Sequence, residues 1–159
     1  MADSVSIYLN DHLAGAAHAL DLLEHLQKNH QSDHIGPFAG RLLVDVRADY
    51  ETLKDIAGRV NAGSNAMKEV LSRLSEKIAR LKLGDNGAIA FETFESLEFL
   101  VLGIHGKLAL WRALEATSAN DVRLRNVDYS LLVERAQQQE AVVEAARIDL
   151  AKKVLLPPN

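Results

Sequence analysis

An all-α four-helix bundle is the fold that this sequence predicts, and three observations carry the prediction. Ala, Leu, Glu, Arg and Lys dominate, while β-branched and aromatic residues never alternate over a useful length. Apolar residues recur at three- and four-residue spacing through four long segments. Breaker clusters separate those segments: "QSDHIGP" (31–37), "NAGSN" (61–65), "LGDNG" (83–87) and "SANDVRLRNVD" (118–128), with "LPPN" at the close. Segments of about 26 to 29 residues make helices roughly 40 Å long. Helices of matched length in one small domain pack side by side.

The first helix is expected over 4–30, from Ser4 or Ser6, with Leu9, Leu13, Ala16, Leu20 and Leu23 on one face. The second, 36–61, opens near Pro37, whose fixed φ suits a first turn. It carries Leu42, Leu43, Val46, Tyr50, Leu53, Ala57 and Val60, and stops before Gly63. A shorter amphipathic helix over 64–80 follows, with Ser64 as its cap and Met67, Leu71, Leu74 and Ile78 as its stripe. The third long helix covers 89–117. The fourth, 128–154, starts behind Asp128 as N-cap and carries Leu132, Ala136, Val143, Ala146, Leu150 and Val154. The stretch from 62 to 88 is too long for a tight turn and nearly long enough to return along the bundle. A crossover is therefore expected there, leaving helices two and three parallel; the rival is an up-down bundle with the short helix on one side.

At 159 residues the chain has the size of one domain and can bury a core. Apolar residues make up 48% and charged residues 25%, as in ordinary globular proteins. The formal charge is −4 with acids and bases interspersed, which is no footprint for nucleic acid. The opening "MADSVSIYLNDHL" lacks the basic and apolar regions of a secretory signal. The run Phe99–Ile104 is far short of the roughly 18 apolar residues that span a membrane. No cysteine is present, so disulfides, thiolate metal sites and thiol catalysis are excluded together. A cytoplasmic protein is expected.

This layout of two paired long helices, a connecting segment and two more paired helices resembles the ferritin-like superfamily over the whole length. "YLNDHLAGAAHALDLLEHL" is similar to a ferritin-like first helix. The chain is identified with a bacterial branch lacking the usual di-metal ligands. Metal-binding members carry a Glu on each of two helices and Glu-x-x-His on the other two. Residues three apart sit one turn apart on one face and grip the same pair of ions. No Glu here is followed by His at that spacing: Glu98, Glu134, Glu140 and Glu144 are followed by Val101, Gln137, Val143 and Arg147. That disfavours a di-iron oxidase. A smaller relative that protects DNA in starvation holds its site on helices one and two. Asp45 and Asp49, with the histidines of the first helix, resemble it only loosely.

The remaining polar groups sort by helical facing. Asp11, His18, Asp21, His25 and Lys28 lie opposite the leucine stripe of the first helix, as a solvated face. His12 falls on the apolar side, Asp49 at the edge of the apolar arc beside Tyr50, and Gln139 in the core line of the fourth helix. Such residues are expected to be core groups with hydrogen-bond partners. On the third helix Glu98, His105 and Arg112 recur every seven residues and line up within about 40°. Residues so spaced are about 10 Å apart along the axis, too far to share an ion unaided. Separate pairings are expected, Glu98 with His12 or a tyrosine and Arg112 with an acid near the bundle end. The opposite stripe, Phe99, Gly103, Gly106, Leu110 and Ala113, gives this helix a second apolar face. Each glycine costs about 1 kcal/mol relative to alanine, and close approach of another backbone would justify it. A homodimer through Phe99, Gly103, Gly106 and Leu110 is expected, or cover by the 64–80 helix.

The expected function is that of a non-catalytic ferritin-like bundle with a structural, stress-related or interaction role, and with no cofactor. No phosphate loop and no nucleophile–base signature occurs. The alternative is a metal-binding relative holding iron, manganese or zinc in a degenerate site of Glu98, His105, His12 and Asp49. A third reading is a binder of a small apolar ligand in a cavity of the bundle.

Overall fold

The computed structural model describes residues 3–62 and 86–157, the side chains of 86–88 excepted. Four long helices follow one another: α1 (Ser4–Asn29), α2 (Ile35–Val60), α3 (Asn86–Ser118) and α4 (Tyr129–Val154). A single 3-10 turn, Val122–Leu124, precedes α4. No strand occurs among the described residues. The helix expected over 64–80 lies outside the described residues.

The starts of α1, α2 and α4 each have a local cause. Asp3 Oδ1 accepts a hydrogen bond from the Val5 amide at 3.2 Å, so Asp3 caps α1 and the helix begins at Ser4, one of the two expected starts. Asp33 Oδ1 accepts from the Ile35 amide at 2.8 Å, and Pro37 falls within the first turn of α2, where a missing N–H does no harm. Asp128 Oδ1 accepts from the Leu131 amide at 3.0 Å, which makes it the N-cap its position implies.

The core divides into two layers that reveal the helix directions. One layer joins Leu9 and Leu13 of α1, Leu53 and Ile56 of α2, Leu108, Trp111 and Leu114 of α3, and Leu132 and Ala136 of α4. The other joins Leu22, Leu23 and Leu26 of α1, Leu42 and Val46 of α2, Leu97, Leu100 and Ile104 of α3, and Val143 of α4. Helices α1 and α4 therefore run one way and α2 and α3 the other. Contacts at both ends agree. His30, after α1, hydrogen-bonds Thr93 in the first turns of α3 at 2.8 Å. Arg59, at the end of α2, donates to the Arg125 carbonyl beyond α3 at 2.9 Å. The parallel α2/α3 pair is the crossover arrangement, and an up-down-up-down bundle is ruled out.

Packing is uneven among the helices. α1 lies closely along α2, and α3 along α4, whereas α1 and α3 meet more sparsely. The α1–α2 turn is tight enough that a Cβ on Gly36 would overlap the His30 carbonyl. Asn126, with φ of 61°, occupies the left-handed region in the turn before α4, a conformation asparagine tolerates better than most residues.

One face of α3 is open among the described residues, and the 64–80 helix expected against it lies outside them. The face of α3 carrying Phe99, Gly103 and Gly106 is not covered among the described residues. Phe99 is 51% and Leu102 67% exposed, and a Cβ at Gly103 or Gly106 would meet nothing within 4 Å. Leu110, from the same stripe, is wholly buried in the core instead. The glycines answer to no close backbone approach among the described residues. Changing both Gly103 and Gly106 to Ala should accordingly stabilise the chain, by about 1 kcal/mol per site from helix propensity alone. A thermal melt followed by circular dichroism should show a midpoint several degrees higher. A lower midpoint would mean that another chain or segment packs on this face.

Candidate functional site

Between the two apolar layers, at mid-height in the bundle, sits a buried ionic cluster. Asp49 of α2 is its centre, at 2% exposure. Lys107 Nζ of α3 donates to Asp49 Oδ2 at 2.6 Å and also to the side-chain oxygen of Gln139 on α4. Gln139 Nε2 donates to the same Asp49 oxygen at 3.1 Å. Arg135 Nε of α4 lies 3.0 Å from Asp49 Oδ1 as an ion pair, without the alignment of a hydrogen bond. Burial pushes the Lys107 ammonium below the ordinary lysine range, and the charge and hydrogen bond of Asp49 pull it back.

Beside this cluster, where α1 and α3 diverge, a cleft of about 450 Å³ opens with α2 as its floor. Its walls are mainly apolar: Ala16 and Ala19 from α1, Leu53 from α2, and Phe99, Leu102 and Ile104 from α3. Gly15, Gly103 and Gly106 also line it, and among the described residues none would bring a Cβ within 4 Å of another group. Five polar side chains reach it, those of Asp11, His12, Asp49, Tyr50 and Lys107. Asp11 is exposed, while His12 and Tyr50 are half-buried. The His12 ring meets Tyr8 edge-on at 4.6 Å. Its burial lowers its pKa from the ordinary 6.5, against a smaller opposing effect of Asp11. Trp111 backs the cleft, fully buried, and its Nε1 hydrogen has no partner among the described residues.

The expected site residues are thus divided. His12 and Asp49 share the cleft, but Glu98 and His105 do not line it. Glu98, His105 and Arg112 are all exposed, which corrects their placement in the interior. Glu98 accepts from Arg147 of α4 at 2.9 Å rather than pairing with His12 or a tyrosine. His105 Nδ1 pairs with Glu140 of α4 at 2.9 Å. Arg112 makes none of the ion pairs found among the described residues. The three form the solvent-facing edge of the α3–α4 hairpin. The four metal-ligand candidates do not converge, and no group of three or more His, Cys, Asp or Glu among the described residues is arranged to hold a metal. Asp49, the acid best placed in the interior, already faces two cations. These residues do not fit a di-metal centre.

Sequence reasoning missed Lys107 and Arg135. The signal for Lys107 was present: with Leu100, Ile104 and Trp111 it follows the three- and four-residue spacing of the core face. Gln139 was singled out for interrupting the core line, and it is indeed a buried residue satisfied by hydrogen bonds.

Removing one partner of a buried ion pair strands the other. Asp49→Ala should lower stability by about 3–5 kcal/mol in urea unfolding, because Lys107 and Arg135 lose their counter-charge. The double variant Asp49→Leu with Lys107→Met should recover only the part of that loss owed to Lys107, since Arg135 and Gln139 still lack the carboxylate they face. A separate test concerns His12. Because the folded protein holds its neutral ring more strongly than the unfolded chain does, its contribution is complete above pH 6.5. It is lost as pH falls through the lower folded value. Between pH 7 and pH 5.5, His12→Gln should lose less stability than the wild type.

No helix among the described residues is long and apolar enough to cross a membrane. No family model, no curated protein and no solved structure matches this chain.

Proposed function

We propose that the protein is a non-catalytic bundle of ferritin-like topology whose role is to bind a small apolar molecule in the α1–α3 cleft. The observation that carries this reading is the cleft itself. About 450 Å³ of mainly apolar space with a few convergent polar groups is the usual build of a small-molecule site. The parallel α2/α3 pair and matched helix lengths support the ferritin-like topology. The ionic cluster supports a non-metal role. Lys107 stands against the carboxylate that a metal would need, and Arg135 adds a second positive charge. The same cluster supports a non-catalytic role, because Lys107 is held by Asp49 and Gln139 rather than presented as a free nucleophile.

A second reading rests on the exposed apolar rim, where Phe99 and Leu102 flank the opening. In that reading two copies meet through Phe99, Leu102, Gly103 and Gly106 and close the cleft between them, while Leu110, expected on this face, stays buried in the core. Sedimentation of the purified protein distinguishes the two.

Trp111 is the only tryptophan of the chain and backs the cleft, so it reports on occupancy. The neutral dye N-phenyl-1-naphthylamine should bind with a rise in its own emission and quenching of Trp111. Gly106→Phe, which fills the open space, should abolish both signals while circular dichroism stays helical. A wild-type chain that sediments as a monomer and leaves the dye in water refutes the cleft as a binding site.

A further inference from the structure

Resting on the cleft as a binding site, the next question is what sits at its polar end. The ionic cluster is unbalanced: one carboxylate, Asp49, faces two cations, Lys107 and Arg135. Asp45 also acts on Lys107, but from an exposed position where water screens it, and Asp11 stands exposed at the rim. Arg135 is 32% exposed and does not line the cleft, so the cation at its floor is Lys107, and Asp49, Lys107 and Arg135 together carry a net positive charge. A positive cluster at the end of an apolar cleft favours a ligand group of opposite sign.

The hydrogen-bonding inventory points the same way. An ammonium has three donors, and Lys107 uses two of them, on Asp49 and Gln139. The Trp111 Nε1 hydrogen, fully buried beside the cleft, is a further donor without a partner among the described residues. Both groups donate only, so their complement is an acceptor. The Asp49 oxygen that lacks a hydrogen bond lies 3.0 Å from Arg135 and is held by that charge.

The remaining space is apolar and is kept open by missing side chains. Gly15, Gly103 and Gly106 each present open space where a Cβ would stand, and all three line the cleft. Phe99 and Leu102 continue that apolar wall to the solvent. We infer that the cleft takes an amphipathic monocarboxylate, with its carboxylate against Lys107 and its apolar chain along the glycine-lined wall of α1 and α3. A charge-assisted hydrogen bond in a partly dry site separates a carboxylate from a neutral alcohol of equal chain length by about tenfold or more.

The test uses displacement of bound N-phenyl-1-naphthylamine from the whole protein at pH 8 by decanoate and by decan-1-ol. Decanoate should displace the dye at a concentration about tenfold lower than decan-1-ol. Lys107→Met should erase that preference while the dye still binds. If decan-1-ol competes as well as decanoate in the wild type, the carboxylate inference fails and the apolar cleft stands. If the dye does not bind at all, or the chain sediments as a dimer with the dye excluded, both fail together. A measurement on the wild type covers the case in which Lys107→Met does not fold. The carboxyl carbon of bound [1-13C]decanoate should titrate at lower pH than the free acid in NMR, and titration at higher pH would overturn the assignment.

Discussion

One buried carboxylate organises this bundle. Asp49 sits at the waist of the molecule, 2% exposed, and engages Lys107 on α3 and both Arg135 and Gln139 on α4. Apolar layers above and below can slide or repack with modest loss, because leucine against leucine is tolerant of register. An ionic cluster is not tolerant. Its members must meet in pairs at hydrogen-bond distance or pay the full desolvation of a charge. The cluster therefore ties α2 to the α3–α4 hairpin at a fixed height. That is a claim about specificity of register more than about net stability, since an apolar replacement of the pair loses little.

The same cluster shapes the space beside it. Two hairpins, α1–α2 and α3–α4, meet through the cluster and the two core layers, but α1 and α3 touch sparsely. The small residues between them leave the gap that the larger side chains of the core do not fill. Charge and cavity are thus neighbours: the floor of the apolar cleft is the most strongly ionic part of the interior. The cluster that fixes the register of the hairpins also sets a charged end to an otherwise apolar space.

Much of the fold was legible in the sequence because helices announce themselves locally. Asp128 was readable as a cap, and the boundaries of all four helices came within three residues of those observed. The site was harder, and the reason lies in α3. That helix is apolar nearly all round, so facing could not be assigned from periodicity, and the Glu98, His105 and Arg112 series was placed in the interior when it belongs to the solvent edge. Their partners Arg147 and Glu140 come from α4, 49 and 35 residues away, and nothing local encodes such pairings. The glycines of α3 line open space among the described residues, and the helix or second copy expected to pack on them lies outside those residues.

By itself the sequence determined the four long helices, their approximate bounds and the Asp128 cap, and it favoured a crossover over an up-down bundle because the link between the second and third helices is long. It also determined the absence of Glu-x-x-His, because a missing motif needs no structure to be seen. Only the tertiary structure decided which charges are buried and with whom. Lys107 falls on the core spacing of α3, but its partners exist only once Asp49 and Gln139 are brought to it from α2 and α4. Burial and pairing are properties of distance in space, and the chain sets that distance only when two hairpins close on each other. The cleft between α1 and α3 is decided at the same moment, as the volume those hairpins do not fill.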